Sequence, residues 1–543
     1  MTEDIYRHKN GLKHINISSS EGFSALFVVN TPVFDNSGVA HGVEHLVFRA
    51  SNAFPHPETL FQLTSLTDAK INASTFAEAT YFHCQSQCFE TFSLAVKYLL
   101  NGLFDPVFTT ADLLCEIHDG DNKGVIYHEL LGTEEAVQKA NKKSTRKSIL
   151  KKTNKTKTDE INYGGVSSSI GQLSLNDLTS FHQRFYQAEN ITLITANADI
   201  EQIATLISLL PKQPVLSDQL KAVIEAQDKK TKQYLLNKAQ QSSQEPKSEK
   251  IKDDEYHQKK YSQAIKKLIT LYHLWLKNPR YKEISDYKEI ENTNKPLETD
   301  QLNKVLNDSI KNTEPANTNH SSVNFDNKLI APLVNLSSKL LANISITQTD
   351  NKNCVKPSHR TSDTKNKSIG RQTDTLVNKP VLPNLFSELY LQAKSKLALN
   401  EVTPHKKQAY ACDQRNALWL SPIRKNEELI AIITSYIINA YPLFLAPRCQ
   451  GLCYATQALV IEDSTYLAIF NAFDVSPSSR LKEVLPCLLR LSQNQTFICN
   501  SLALAKNKYC TTYQVSPNQV IHLTSCAIST YLQELANSSH PKG

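Results

Sequence analysis

His41-Gly-Val-Glu44-His45 lies inside the run SGVAHGVEHLVF. Two histidines four apart share one face of a helix, where both imidazoles reach a single cation. Glu44 sits on the same helix and can take a proton from water that such a cation activates. The order H-x-x-E-H reverses the commoner H-E-x-x-H arrangement. This is equipment for metal-assisted hydrolysis. A hydrolytic zinc site takes three protein ligands and keeps one position open, so a third ligand must come from elsewhere, naturally an acid on a second helix. The run GVIYHELLG, residues 124–132, offers Glu129, which spacing alone leaves as one of many acidic candidates. His83, Cys84 and Cys88 in TYFHCQSQC invite a second metal reading. That run reads as a strand whose alternate residues face opposite ways, which separates them.

The elements that must position these groups fall into an alternating pattern over residues 1–212. HINIS and SALFVVNT read as strands, and Val39 to Arg49 as the helix of the histidines. ASTFAEATYFHCQSQ reads as strand, Phe92 to Phe104 as an apolar helix, and Leu175 to Tyr186 as a helix with Ser174 as N-cap. ITLITANADI closes the unit with a strand. This mixture predicts an α+β domain with helices on one face of a sheet. From 213 to 408 Lys, Asn, Gln, Ser and Thr dominate, and Gly370 is the only glycine. Within that segment Tyr261, Ile265, Leu268, Ile269, Tyr272 and Leu276 recur at helical spacing before Pro279 and predict a helix with a face to bury. The rest reads as polar linker, partly helical or disordered. Order resumes over 409–543, where ALWLS, GLCYATQALVIED and TYLAIFNAFD read as strands, the last two paired. Leu429–Tyr441 and Arg480–Leu491 read as helices.

Composition sets limits. The 543 residues allow several cores. A formal charge of +7 is modest for this length and, with no basic-aromatic module, argues against nucleic acid as a partner. The basic run Lys142–Lys157 reads as a solvated loop. Eleven cysteines at irregular spacing read as reduced thiols. The N-terminal residues lack an apolar signal core. The apolar run Leu429–Ala446 contains Pro442 and reads as a buried helix ending before it, not as a membrane span. The expected location is therefore cytoplasmic, with no membrane partner.

The flanks of these motifs carry a resemblance. TPVFDNSGVAHGVEH is similar to the TP-x-x-D-S-T-G-V-x-H-x-x-E-H stretch of the presequence-protease branch of the pitrilysin/insulinase zinc metallopeptidases, family M16. GVIYHELLG resembles that branch's G-V-V-x-N-E-M-K-G, with His128 for Asn and Leu131 for Lys. Asn72-Ala73-Ser-Thr75 followed by Thr80-Tyr81 resembles the family's strand that pairs with extended substrate. LSLNDLTSFHQRFYQAENITLI is similar to its helix-strand close. Arg448-Cys-Gln-Gly451-Leu-Cys-Tyr454-Ala resembles its R-x-K-G-G-A-Y-G. The resemblance implies insulinase-like α/β roll domains, complete at the N-terminal end and partial at the C-terminal end. It implies His41, His45 and Glu129 as zinc ligands and Glu44 as general base. Asn72, Ala73 and Thr75 would align the peptide, Arg448 and Tyr454 would stabilise the oxyanion, and Glu116 would stand behind the ligands.

The expected activity is that of a zinc-dependent metallopeptidase hydrolysing unstructured peptides. The alternative is a non-catalytic insulinase-like subunit. Members of the branch have four homologous domains in nearly twice this length, so the resemblance implies a contracted chain whose middle domains are lost or eroded. Three arrangements stay open: an open site, a homodimer that completes a chamber, and a catalytically decayed relic.

Overall fold

The computed structural model describes residues 3–121, 123–145, 161–211, 261–277, 288–289, 328–350, 381–398, 408–461 and 465–537. Most of the basic run after Thr145 and much of the polar segment 213–408 lie outside them.

Among the described residues the N-terminal sheet has the order β4-β5-β3-β6-β2-β1-β7. Its strands are β1 (Glu3–Arg7), β2 (Lys13–Ile17), β3 (Phe23–Asn30), β4 (Lys70–Thr75), β5 (Ala79–Ser86), β6 (Ile191–Ala196) and the short β7 (Lys288–Glu289). The run expected as one strand over 73–87 is a hairpin. β4 and β5 pair antiparallel with Asn72 opposite His83 and Thr75 opposite Thr80, and the Phe76 amide donates to the Ala79 carbonyl at 2.9 Å. Cys84 lies buried in β5, while Cys88 falls beyond that strand.

β3 is apolar and buried from Ala25 to Val29 because both its faces are covered. On one face Ala25, Phe27 and Val29 meet Val43 and Leu46 of α1 (Val39–Val47) and Leu99 and Leu103 of α3 (Phe89–Phe104). On the other, Leu26 and Val28 pack with Ile15, Tyr81 and Ile194 under a helix at Gln263–Lys277. The sheet therefore carries helices on two faces, not one. That helix buries Tyr261, Ile265, Leu268 and Tyr272 as its spacing predicts, but Trp275 in place of Leu276, which stays 43% exposed.

The second sheet, order β10-β11-β9-β8, is antiparallel throughout. β8 is Ala409–Cys412, β9 is Ala417–Pro422, β10 is Ala455–Ile461 and β11 is Tyr466–Ala472. A helix at Val381–Ala398 covers one face through Leu389, Tyr390 and Ala393. The apolar run at 429–446 is two helices, Glu428–Ile438 and Pro442–Cys449, bent by 51° with Pro442 opening the second. Among the described residues no single helix is long and apolar enough to cross a membrane. One hydrophobic cluster joins the two ends of the chain. It runs from Leu63 and Leu66 through Leu329, Ile330 and Leu333 to Ile433, Leu488 and Phe497. The middle segment thus supplies helices that pack on both flanking sheets.

A buried polar chain sits beside the first core. The His8 and His14 rings stack with Nε2 and Nδ1 3.0 Å apart, and His14 Nε2 lies 2.7 Å from Thr195 Oγ1. Burial lowers His8 to about 4, and burial with the neighbouring ring keeps His14 well below 6.5. The unfolded chain therefore takes up these protons first. The stability that neutral His8 contributes is complete above pH 6.5 and drains as pH falls towards 4. A shift of this size corresponds to about 3 kcal/mol. Urea midpoints at pH 7 and pH 4.5 should fall further for the parent chain than for His8→Gln.

Candidate metal centre

α1 is almost wholly buried, leaving only Val39 and His45 partly open. His41 and His45 project from it one turn apart, their rings edge to face at 4.8 Å. Each ring is fixed through Nδ1. His41 Nδ1 lies 2.9 Å from the Gly164 carbonyl, and His45 Nδ1 lies 2.8 Å from Glu116 Oε1. Both partners accept, so each ring donates from Nδ1 and turns Nε2 towards Glu129. Glu129 comes from the first turns of α5 (Val125–Thr145). Its Oε1 lies 3.8 Å from His41 Nε2, and its Oε2 lies 3.9 Å from His45 Nε2. Donor atoms of the three residues all fall within 4.8 Å of one another. Tetrahedral bonds of 2.0–2.2 Å place neighbouring ligand atoms about 3.4 Å apart, so a small inward movement seats a zinc-sized ion. Two neutral imidazoles and a carboxylate also suit zinc chemically.

Glu44, buried on the same helix, accepts a 2.5 Å hydrogen bond from Thr75 Oγ1 at the end of β4. Thr75, expected to touch substrate, is the donor of this bond. Asn72 and Ala73 lie on β4, the terminal strand of the sheet among the described residues. The Asn72 side chain accepts from the Ala73 amide at 2.9 Å, and Ala73 faces the core.

Glu116 sits on a π-helical turn, Leu113–Ile117, that follows the short α4 (Thr110–Asp112). It is 3% exposed. Besides His45 it accepts both terminal nitrogens of Arg448, at 2.8 and 2.9 Å, and Arg49 Nη1 at 3.3 Å. Burial alone would raise its carboxyl. The Arg448 charge and the hydrogen bonds from His45 and Arg448 outweigh that and hold it well below the usual carboxylate range. Arg49 also pairs with Asp112 at 2.6 Å and donates to the Cys449 carbonyl at 2.6 Å. Sequence reasoning passes over Arg49, which stands in the turn just after α1.

The resemblance implied that Arg448 reaches the substrate. The structure brings it to the site, in the last turn of helix Pro442–Cys449, but with its fork closed on Glu116 and its guanidinium 5.5 Å from the Phe61 ring centre. Tyr454 precedes β10 and packs 5.9 Å from the Phe473 ring. Burial, opposed by the Arg448 charge and supported by Glu44 and Glu116, raises its phenol to about 12, so it keeps its proton at neutral pH.

The insulinase (peptidase family M16) model matches residues 34–158, which hold all three converging side chains. The mitochondrial presequence protease of Candida albicans is 27% identical over 204 residues, 34% of this chain. Over residues 34–158 the chain is similar to peptidase family M16. An uncharacterized protein of Saccharomyces cerevisiae is 24% identical over 243 residues, 41% of this chain. The matched stretches span only 23% of the Saccharomyces relative and 19% of the Candida one. Among solved structures, an M16-like peptidase from Alicyclobacillus acidocaldarius aligns with 40% of this chain and 51% of its own, at 17% identity and a TM-score of 0.30. An M16 inactive domain from Pseudomonas fluorescens aligns with 98% of this chain and 95% of its own, at 11% identity and 0.31. The two sheets and the helices that cover them form an α+β fold.

Proposed function

We propose that this chain is a zinc-dependent peptidase that hydrolyses unstructured peptides. The observation that carries the reading is the convergence of His41, His45 and Glu129 with both imidazole Nδ1 positions already tied. A zinc ion held there supplies Lewis-acid polarisation to a carbonyl and to water. Glu44 takes a proton from the attacking water and returns it to the leaving amine. Thr75 keeps the Glu44 carboxylate aimed. The free side of β4 pairs with an extended peptide through main-chain hydrogen bonds, with Asn72 beside it. Tyr454, protonated at neutral pH, is the donor for the developing oxyanion. Charge supports the assignment. Arg49 and Arg448 balance Asp112 and Glu116 behind the histidines, and Glu44 and Glu129 bring two further carboxylates to the site.

The test is metal analysis of the purified full chain, with cleavage of a quenched, unstructured peptide before and after chelation. About one zinc per chain is expected, with activity lost to chelator and restored by zinc. A chain that binds zinc yet cleaves nothing would be the non-catalytic family member instead.

A further inference from the structure

Segments from the two parts of the chain meet beside the ligand-bearing elements. The Gly124 amide, just before α5, donates to the Gly451 carbonyl at 3.0 Å. A side chain at Gly132, three residues past Glu129, would overlap the Phe473 ring. Arg415 pairs with Glu135 of the same helix at 3.0 Å. Arg448 closes the series. Its two terminal nitrogens occupy both oxygens of Glu116, and one of those oxygens is the acceptor that fixes His45.

We propose that Arg448 is a positioning residue for the metal centre: it orients Glu116, which sets the tautomer and angle of His45, so the C-terminal segment tunes zinc affinity. A guanidinium fork on a carboxylate fixes direction as well as charge, which a lone cation would not. The partner behind a ligating histidine is worth about 10–100-fold in metal affinity when lost. Arg49 holds Glu116 by one longer bond and spends its other nitrogens on Asp112 and Cys449, so it is no substitute. This inference rests on the zinc reading above.

Zinc affinity of the full chain, measured by chelator competition, tests it in Arg448→Gln, Glu116→Gln, the double variant and Arg448→Lys. Arg448→Gln should bind zinc about 10–100-fold more weakly. The double variant should bind no worse than Glu116→Gln alone, because Arg448 acts through that carboxylate. Arg448→Lys should fall between parent and Gln. Far-UV spectra and metal-free unfolding midpoints separate a misfolded chain from a loosened site. Should Arg448→Gln fail to fold, the double variant, which leaves no unpaired buried charge, and Arg448→Lys carry the comparison. Parent-like affinity in Arg448→Gln, or independent losses that add in the double variant, overturns the proposal. A parent chain with no zinc affinity overturns this and the peptidase reading together. A parent that binds zinc without cleaving peptide overturns only the latter.

Discussion

For the peptidase proposed here, Glu44→Gln should lower kcat/KM for a quenched peptide by about 10²–10⁴-fold, the range for losing a positioned acid-base group, while zinc content stays at the parent level. The substitution changes no shape and leaves the three converging side chains untouched. The Gln carbonyl can still accept from Thr75, so the geometry at the end of β4 survives. What disappears is a buried carboxylate able to take a proton. Fluorescence release and zinc content measured on the same preparation check the split. Parent-like cleavage would remove Glu44 from the chemistry, and loss of zinc would mean that its charge helps hold the ion.

Gly451→Ala destabilises the docked C-terminal segment by about 2–5 kcal/mol. Two costs combine. Gly451 has φ of 74°, a left-handed conformation that costs an L-residue roughly 1–2 kcal/mol. The added Cβ would stand 2.2 Å from the Cys115 carbonyl oxygen, a backbone atom that cannot swing aside. Overpacking of this kind adds about 1–3 kcal/mol. Gly120→Ala is the control, because Gly120 has φ of 87° with nothing within 4 Å of the new atom. It should cost only the conformational part. Urea midpoints of both variants against the parent, with zinc affinity alongside, give the comparison. Equal losses in the two would show that the approach to Cys115 is not under load.

Much of the site was legible in sequence because its determinants are local. The i, i+4 histidines need only a helix, and the apolar residues around them guarantee one. Glu129 was picked out by its flanks, since an acid on a distant helix has no spacing signature of its own. The β4-β5 hairpin was read as a single strand because its turn, Phe76-Ala77-Glu78, lacks the Gly, Pro, Asn or Asp that mark turns. The helix at Gln263–Lys277 was visible from its period. That it closes the second face of the sheet was not, since periodicity names a buried face but not what covers it. Arg448 is the sharpest case. The resemblance of its flanking run points to the site, yet the direction of the side chain depends on Glu116, 332 positions earlier, which no local pattern reports.

That separation has a consequence during synthesis. A ribosome adding roughly 5–20 residues per second needs about 15–70 s to travel the 332 positions from Glu116 to Arg448. Through most of that interval the nascent chain already carries His41, His45, Glu116 and Glu129, but Arg448 has not been made. On the proposed reading, a site assembled in this order gains its full metal affinity only once residue 448 has been made and has docked on Glu116.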